Sequence, residues 1–118
     1  MIRLLFIVYC LGLTVLLVAP DPAALLGIEK VPGAAGGRGI HFLAFLVLGL
    51  LALGSRWRVT GGLLIGLLIA YALATETLQC LVPARTAEAL DIAENLLGLA
   101  VAAGCWRLVC GPISPGSP

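Results

Sequence analysis

Four long apolar segments occupy most of this chain and leave only short connections between them. They cover residues 4–19, 39–55, 61–82 and about 87–106, and charged or helix-breaking residues flank each one. Hydrophobic residues make up 61% of the 118 positions, and the mean hydropathy is +1.13. Because a single soluble core of this size cannot bury so much apolar surface, the sequence predicts an integral membrane protein.

Each apolar segment is predicted to form one transmembrane helix. A helix rises about 1.5 Å per residue, and the hydrocarbon core of a bilayer is about 30 Å thick. By this measure the third and fourth segments are long enough to cross, whereas the first two are short. Since four crossings use nearly the whole chain, we predict an all-α fold, an integral membrane bundle of four transmembrane helices that forms a single domain over residues 1–118.

The first segment has a second interpretation, as a secretory signal peptide. Arg3 precedes an apolar run of suitable length, and small residues follow that run. However, Pro20 directly after Ala19 is a poor context for cleavage, and the stretch from Pro20 to Pro22 is typical of a helix stop. A first transmembrane helix is therefore the preferred interpretation.

Basic residues near the helix ends predict the orientation in the membrane. They divide between two sides, with Arg3, Arg56, Arg58 and Arg107 on one and Lys30, Arg38 and Arg85 on the other. Positive charge is enriched on the cytoplasmic side of membrane proteins. If Arg38 and Arg85 belong to a functional site, the bias becomes four to one. Both termini are then predicted to be cytoplasmic.

Charge and cysteine content argue against two classes of partner. The net charge is +1 and the chain has no cluster of Lys and Arg, so a nucleic-acid partner is not expected. The four cysteines have neither metal-ligand spacing nor a close pairing with the histidine. We therefore predict neither a metal ion nor another cofactor. Because the chain is predicted to lie in a membrane, its expected partners are membrane lipids.

Polar residues are concentrated at one end of the predicted bundle. His41 lies near the start of the second helix, Glu76 and Gln79 near the end of the third, and Asp91 and Asn95 near the start of the fourth. Spacings of three and four place each pair on one helical face. The short connection between the third and fourth helices makes them antiparallel neighbours. The two polar faces are therefore predicted to meet.

Arg85, in that short connection, is predicted to contact at least one of Glu76 and Asp91 as their counter-ion. A charged side chain at the bilayer centre costs about 2.5 to 3.5 kcal/mol, so these groups should face each other rather than lipid. Glu94 points to a different helical face and is left out. The predicted site consists of Arg38, His41, Glu76, Gln79, Arg85, Asp91 and Asn95.

Glycines in the apolar segments predict where helices approach closely. A helix can come near a neighbouring backbone where a side chain is missing. We expect this packing role for Gly61, Gly62, Gly66, Gly98 and Gly104.

Together these motifs resemble the VanZ-like family of small bacterial membrane proteins. The resemblance rests on a histidine followed by FLAFLVLGLL, an E-x-x-Q motif, an arginine six residues before an aspartate, and D-x-x-x-N-x-x-G, over about residues 38–104. The family typically has Lys three residues before the histidine, where this chain has Arg38, which keeps the charge but changes its geometry. The resemblance implies a multi-pass protein of the bacterial cytoplasmic (inner) membrane, in a family whose founding member is associated with low-level teicoplanin resistance.

Two functions fit the predicted site. In the first, it binds or transfers an anionic envelope molecule, such as a lipid-linked phosphate, at the outer leaflet, as part of either an enzyme or a transporter. Arg38, Arg85 and His41 would meet the phosphate, while Glu76 and Asp91 orient the cations or take up protons. In the second, the polar residues only fix the register of the helices, as buried polar groups do in some proteins.

Overall fold

Five helices make up the part of the chain that the computed structural model describes, which is residues 1–27, 29, 39–83 and 88–113. No strand occurs in these residues. The all-α prediction is therefore confirmed. In chain order the helices are α1 (Ile2–Val18), the short α2 (Pro22–Leu25), α3 (Ile40–Gly54), α4 (Gly61–Cys80) and α5 (Ala89–Cys110).

Two of these helices are long and apolar enough to cross a membrane, as judged by length and composition. The helix α4 has 20 residues and a mean hydropathy of 1.7, and α5 has 22 residues and a mean hydropathy of 1.4. The helices α1 and α3 are also apolar but have only 17 and 15 residues. At about 1.5 Å per residue, both are shorter than the hydrocarbon core of a typical bilayer.

The closest helix contact joins α3 and α5. A Cβ atom added at Gly98 of α5 would meet the carbonyl oxygen of Phe42 and would lie 2.9 Å from the backbone nitrogen of Leu46. One turn further along, a Cβ atom at Gly49 of α3 would lie 2.7 Å from Cβ of Ala102. Two glycines, one on each helix, therefore let the two backbones approach.

The predicted packing role holds for only some of the glycines. A side chain at Gly61 would collide with Ile113, which follows the end of α5, so this glycine packs against a non-helical segment rather than a helix. At Gly62, Gly66 and Gly104, by contrast, an added Cβ atom would find no heavy atom within 4 Å among the described residues beyond the neighbouring backbone of its own helix. The prediction is wrong for these three because glycine spacing does not indicate which helical face is packed, and all three lie on exposed faces.

Hydrogen bonds and apolar packing attach α1 to the rest of the bundle. The hydroxyl of Tyr9 donates to the carbonyl oxygen of Ala44 at 2.9 Å, which links α1 to α3. The hydroxyls of Thr14 and Tyr71 lie 2.8 Å apart and link α1 to α4. Buried residues from α1, α3, α4 and α5 form the core between these bonds: Leu13, Leu17, Phe45, Leu48, Ala52, Leu68, Ala72 and Leu99.

Arg3 closes the end of the bundle where α1 begins and α3 ends. Its Nε donates to the carbonyl oxygen of Ser55, and its Nη2 donates to that of Arg56, each at 3.0 Å. Its guanidinium carbon also lies 5.3 Å from the centre of the Trp57 ring, within range of a cation–π contact. A cation at the C-terminal end of α3 is favourable because the helix dipole is negative there.

Candidate functional site

The polar residues meet at the opposite end of the bundle, where α3 and α5 begin and α4 ends. His41 is the second residue of α3, and Asp91 is the third residue of α5. Glu76 and Gln79 lie in the last turns of α4. Because α4 runs antiparallel to α5, the end of one helix is level with the start of the other. Three helices therefore contribute to one polar cluster.

Asn95 is the centre of this cluster. Its side chain is fully buried, its Nδ2 donates to Glu76 Oε1 at 2.9 Å, and its Oδ1 lies 3.1 Å from His41 Nδ1. An amide nitrogen only donates and an amide oxygen only accepts, so the bond to Glu76 turns Oδ1 toward the imidazole. With Oδ1 facing the imidazole, His41 donates from Nδ1. One amide thus connects α3, α4 and α5.

His41 lies between two carboxylates. Its Nδ1 is 3.6 Å from Glu76 Oε1, and its Nε2 is 4.0 Å from Asp91 Oδ2. The exposed fraction of the side chain is 3% for Glu76, 13% for His41 and 27% for Asp91. The cluster therefore has a buried floor at Glu76 and Asn95 and becomes accessible toward His41 and Asp91.

Gln79 lies one turn after Glu76, on the same buried face of α4. Its side chain is 1% exposed, and its Nε2 has no hydrogen-bond acceptor within the described parts of the chain. Most buried polar atoms in proteins have a partner. The Gln79 amide nitrogen is thus a buried donor for which the described residues provide no acceptor.

Two predicted members of the site, Arg38 and Arg85, lie outside the described residues, as does Lys30. The contact of Arg85 with Glu76 or Asp91 therefore stays a prediction. The other five predicted residues all lie at the same end of the bundle, on α3, α4 and α5. The structure gives direct contacts among His41, Glu76, Asp91 and Asn95.

Glu94, which was not predicted to belong to the site, holds the start of α3 in place. Both of its carboxylate oxygens accept a hydrogen bond from the backbone nitrogen of Gly39, at 3.2 and 3.1 Å. Gly39 has a φ of 85°, a conformation that favours glycine. A carboxylate at a helix N-terminus is also favoured by the helix dipole. Glu94 therefore anchors α3 to α5 two residues before His41.

Three residues of the cluster are arranged so that they could share a cation. His41, Glu76 and Asp91 each offer one ligand atom, and these atoms lie within 4.8 Å of one another. No metal ion was predicted from the sequence, because the four cysteines lack metal-ligand spacing. The three residues come from three different helices, so they form no local motif. The available signal was the placement of one histidine and two carboxylates at the same end of the predicted bundle.

No family model, curated protein or solved structure matches this chain. The resemblance to the VanZ-like family therefore rests on the motifs quoted above.

Proposed function

We propose that this chain is a VanZ-like protein of the bacterial cytoplasmic membrane that crosses the bilayer four times and binds an anionic envelope molecule at the outer leaflet. One observation carries this proposal. His41, Glu76, Asp91 and Asn95 come from three helices and meet at one end of the bundle. Ionisable residues inside membrane segments are costly and usually mark a binding site or a transport pathway.

The apolar surface supports a membrane location for the whole bundle. Only 22% of the apolar window in each of α4 and α5 is buried, and large side chains such as Leu4, Leu108 and Val109 are 66% to 89% exposed. Soluble monomers rarely expose apolar surface on this scale. The shorter helices α1 and α3 can be accommodated by local thinning of the bilayer.

The positions of the basic residues support an orientation. Arg3 contacts the backbone of Ser55 and Arg56, so these three residues share the end of the bundle opposite the polar cluster. Arg107, in the last turn of α5, lies toward the same end. The positive-inside rule assigns this end to the cytoplasm and the polar cluster to the outer side.

Reporter fusions check this topology. A green fluorescent protein fused to the C-terminus should fluoresce, because it stays in the cytoplasm. Alkaline phosphatase inserted after Lys30 should be active, because that connection lies outside. An active phosphatase at the C-terminus would contradict the orientation or the number of crossings.

An anionic ligand suits the cations that border the cluster in sequence. Arg38 directly precedes Gly39, and Arg85 follows Pro83 by two residues. The guanidinium group binds phosphate through paired hydrogen bonds. The partly exposed edge of the cluster at His41 and Asp91 provides an entrance from the membrane surface.

A second function, in which the cluster only fixes helix register, is favoured by one observation. Asn95 is fully buried and bonds to residues of two other helices, as an interhelical polar contact would. In that case no ligand binds. The two functions therefore differ in whether a molecule is retained by the purified protein.

Native mass spectrometry of the full chain in mild detergent, with extracted envelope lipids, tests the binding function. The wild-type protein should retain an anionic lipid, and Arg85→Ala should lose it. Arg107→Ala removes the same charge at the opposite end of the bundle and should retain the lipid. Equal retention by Arg85→Ala and Arg107→Ala, or no retention by the wild-type protein, would refute the proposal.

A further inference from the structure

We infer that His41, Glu76 and Asp91 bind a divalent transition-metal ion, and that this ion holds the anionic group of the ligand. The metal site stands on the geometry of the cluster alone. The second half of the inference rests on the proposed function, because it names how that site recognises an anion.

The distances suit a shared ion. His41 Nε2 lies 4.0 Å from Asp91 Oδ2, and one ligand atom from each of the three residues falls within 4.8 Å of the others. Nitrogen and oxygen ligands bind Zn²⁺ at about 2.0 to 2.2 Å, so two ligands of one ion are at most about 4.4 Å apart. Small rotations of these side chains would bring all three ligand atoms within bonding distance of one ion.

Asn95 orients two of the three ligands, His41 and Glu76. By accepting from His41 Nδ1, it leaves the lone pair of the imidazole on Nε2, the nitrogen that faces Asp91. By donating to Glu76 Oε1, it also orients the buried carboxylate. Metal-binding histidines commonly donate their other N–H to such an outer partner, which fixes the ring and its tautomer. Asn95 is thus a positioning residue for the metal ligands.

The chemistry of the three ligands indicates which ion the site would take. Among the described residues, the cluster offers one imidazole nitrogen and two carboxylates. Mixed imidazole and carboxylate ligands favour Zn²⁺, Mn²⁺ or Fe²⁺ over Ca²⁺ and Mg²⁺, which prefer oxygen ligands throughout. Three protein ligands leave a coordination position for a phosphate oxygen.

Gln79 offers a further contact for that ligand. Its buried Nε2 lacks an acceptor within the described residues, one turn beyond Glu76 on the same face of α4. An oxygen of a metal-bound phosphate or water molecule would accept this hydrogen bond. The buried donor and the metal ligands therefore indicate the same kind of molecule, one rich in acceptor oxygens.

Titration of the metal alone tests the site. The full chain, purified in detergent and treated with EDTA, is titrated with Zn²⁺ and Mn²⁺ by calorimetry, and bound metal is counted by mass spectrometry. The wild-type protein should bind one ion per chain. Asp91→Asn and His41→Gln should abolish this binding, and Asn95→Ala should weaken it by about 10 to 100 fold. Glu88→Gln, an exposed carboxylate three residues before Asp91, should bind as the wild type does.

Thermal unfolding in the same samples separates lost ligands from lost folding. Because Asp91 is partly exposed, Asp91→Asn should unfold at the wild-type temperature without metal. Added Zn²⁺ should raise the unfolding temperature of the wild-type protein and of Glu88→Gln, but not that of Asp91→Asn. A wild-type protein that binds neither ion, or an Asp91→Asn protein that binds as the wild type does, would overturn the metal site.

Lipid retention distinguishes this inference from the proposed function. If anionic lipid stays bound after EDTA treatment, the metal bridge is wrong while the binding function stands. If one ion binds per chain and no anionic lipid is retained, the metal site stands and the proposed function fails. Lipid retention by Asp91→Asn separates the two accounts most clearly. If a metal ion bridges the site and the lipid, this variant should lose the lipid. If no metal ion is involved, removal of a negative charge should increase the amount of anionic lipid retained.

Discussion

Gly98→Ala is expected to destabilise the bundle strongly, whereas the same substitution at Gly104, the other glycine of α5, is not. The new Cβ atom would meet the carbonyl oxygen of Phe42, would lie 2.9 Å from the nitrogen of Leu46, and would lie 3.2 Å from Cβ of Phe45. Two of these three atoms belong to the α3 backbone, which cannot rotate away as a side chain can. Overpacking of this kind costs about 1 to 3 kcal/mol, and we expect a value near the upper end.

Gly104→Ala is the matched control, because it adds the same methyl group to the same helix. Beyond the neighbouring backbone of α5 itself, no heavy atom of the described residues lies within 4 Å of a Cβ atom added there, and alanine favours a helix interior over glycine by about 0.5 to 1 kcal/mol. Thermal unfolding in detergent should therefore rank Gly104→Ala at or above the wild type and Gly98→Ala well below it. Similar unfolding temperatures for the two variants would show that α3 and α5 do not pack as described.

Asn95→Leu should have the second large effect, because one substitution removes two interhelical hydrogen bonds. It leaves Glu76 Oε1 without its amide donor and His41 Nδ1 without its acceptor. Each buried polar group that loses its partner costs about 1 to 3 kcal/mol, and more when it is charged. Leucine has a similar size, so the loss reflects polar contacts rather than a cavity.

Thr75→Val is the control for burial. Thr75 is also buried, at 2% exposure, but its hydroxyl donates to the carbonyl oxygen of Ala72 within α4. The expected loss is therefore about 1 kcal/mol, typical of a single hydrogen bond. Chemical denaturation should place Asn95→Leu clearly below Thr75→Val. Equal stability of the two variants would mean that Asn95 does not join the helices.

The positions of four of the five described helices could be predicted closely from the sequence, whereas the short α2 lies outside the predicted segments. The predicted segments at 4–19, 39–55, 61–82 and about 87–106 correspond to α1, α3, α4 and α5, with end points that differ by at most four residues. Apolar runs and helix breakers are local signals, which explains this agreement. The largest difference is at the end of α5, which continues past Arg107 to Cys110 and stops at Gly111, where φ is 82°.

Contacts between helices could be predicted only in part. The spacings of Glu76 with Gln79 and of Asp91 with Asn95 indicated shared faces, which the helices of the structure display. The central position of Asn95 and the bond from Gly39 to Glu94 depend on how far each helix is rotated and shifted against its neighbours. No local pattern encodes that register. Because helix rotation is not encoded locally, Gly66 and Gly104 were predicted to pack against other helices although both face outward.

The most direct test of the polar cluster as a ligand site measures folding and lipid retention together in variants that preserve charge. Arg85→Lys keeps the cation but loses the paired donors of the guanidinium group, and Asp91→Glu moves a partly exposed carboxylate by one methylene group. Both variants should insert into the membrane and unfold at the wild-type temperature, yet retain much less anionic lipid in native mass spectrometry. Retention that falls only in proportion to the folded fraction would contradict the site and leave helix register as the role of the cluster.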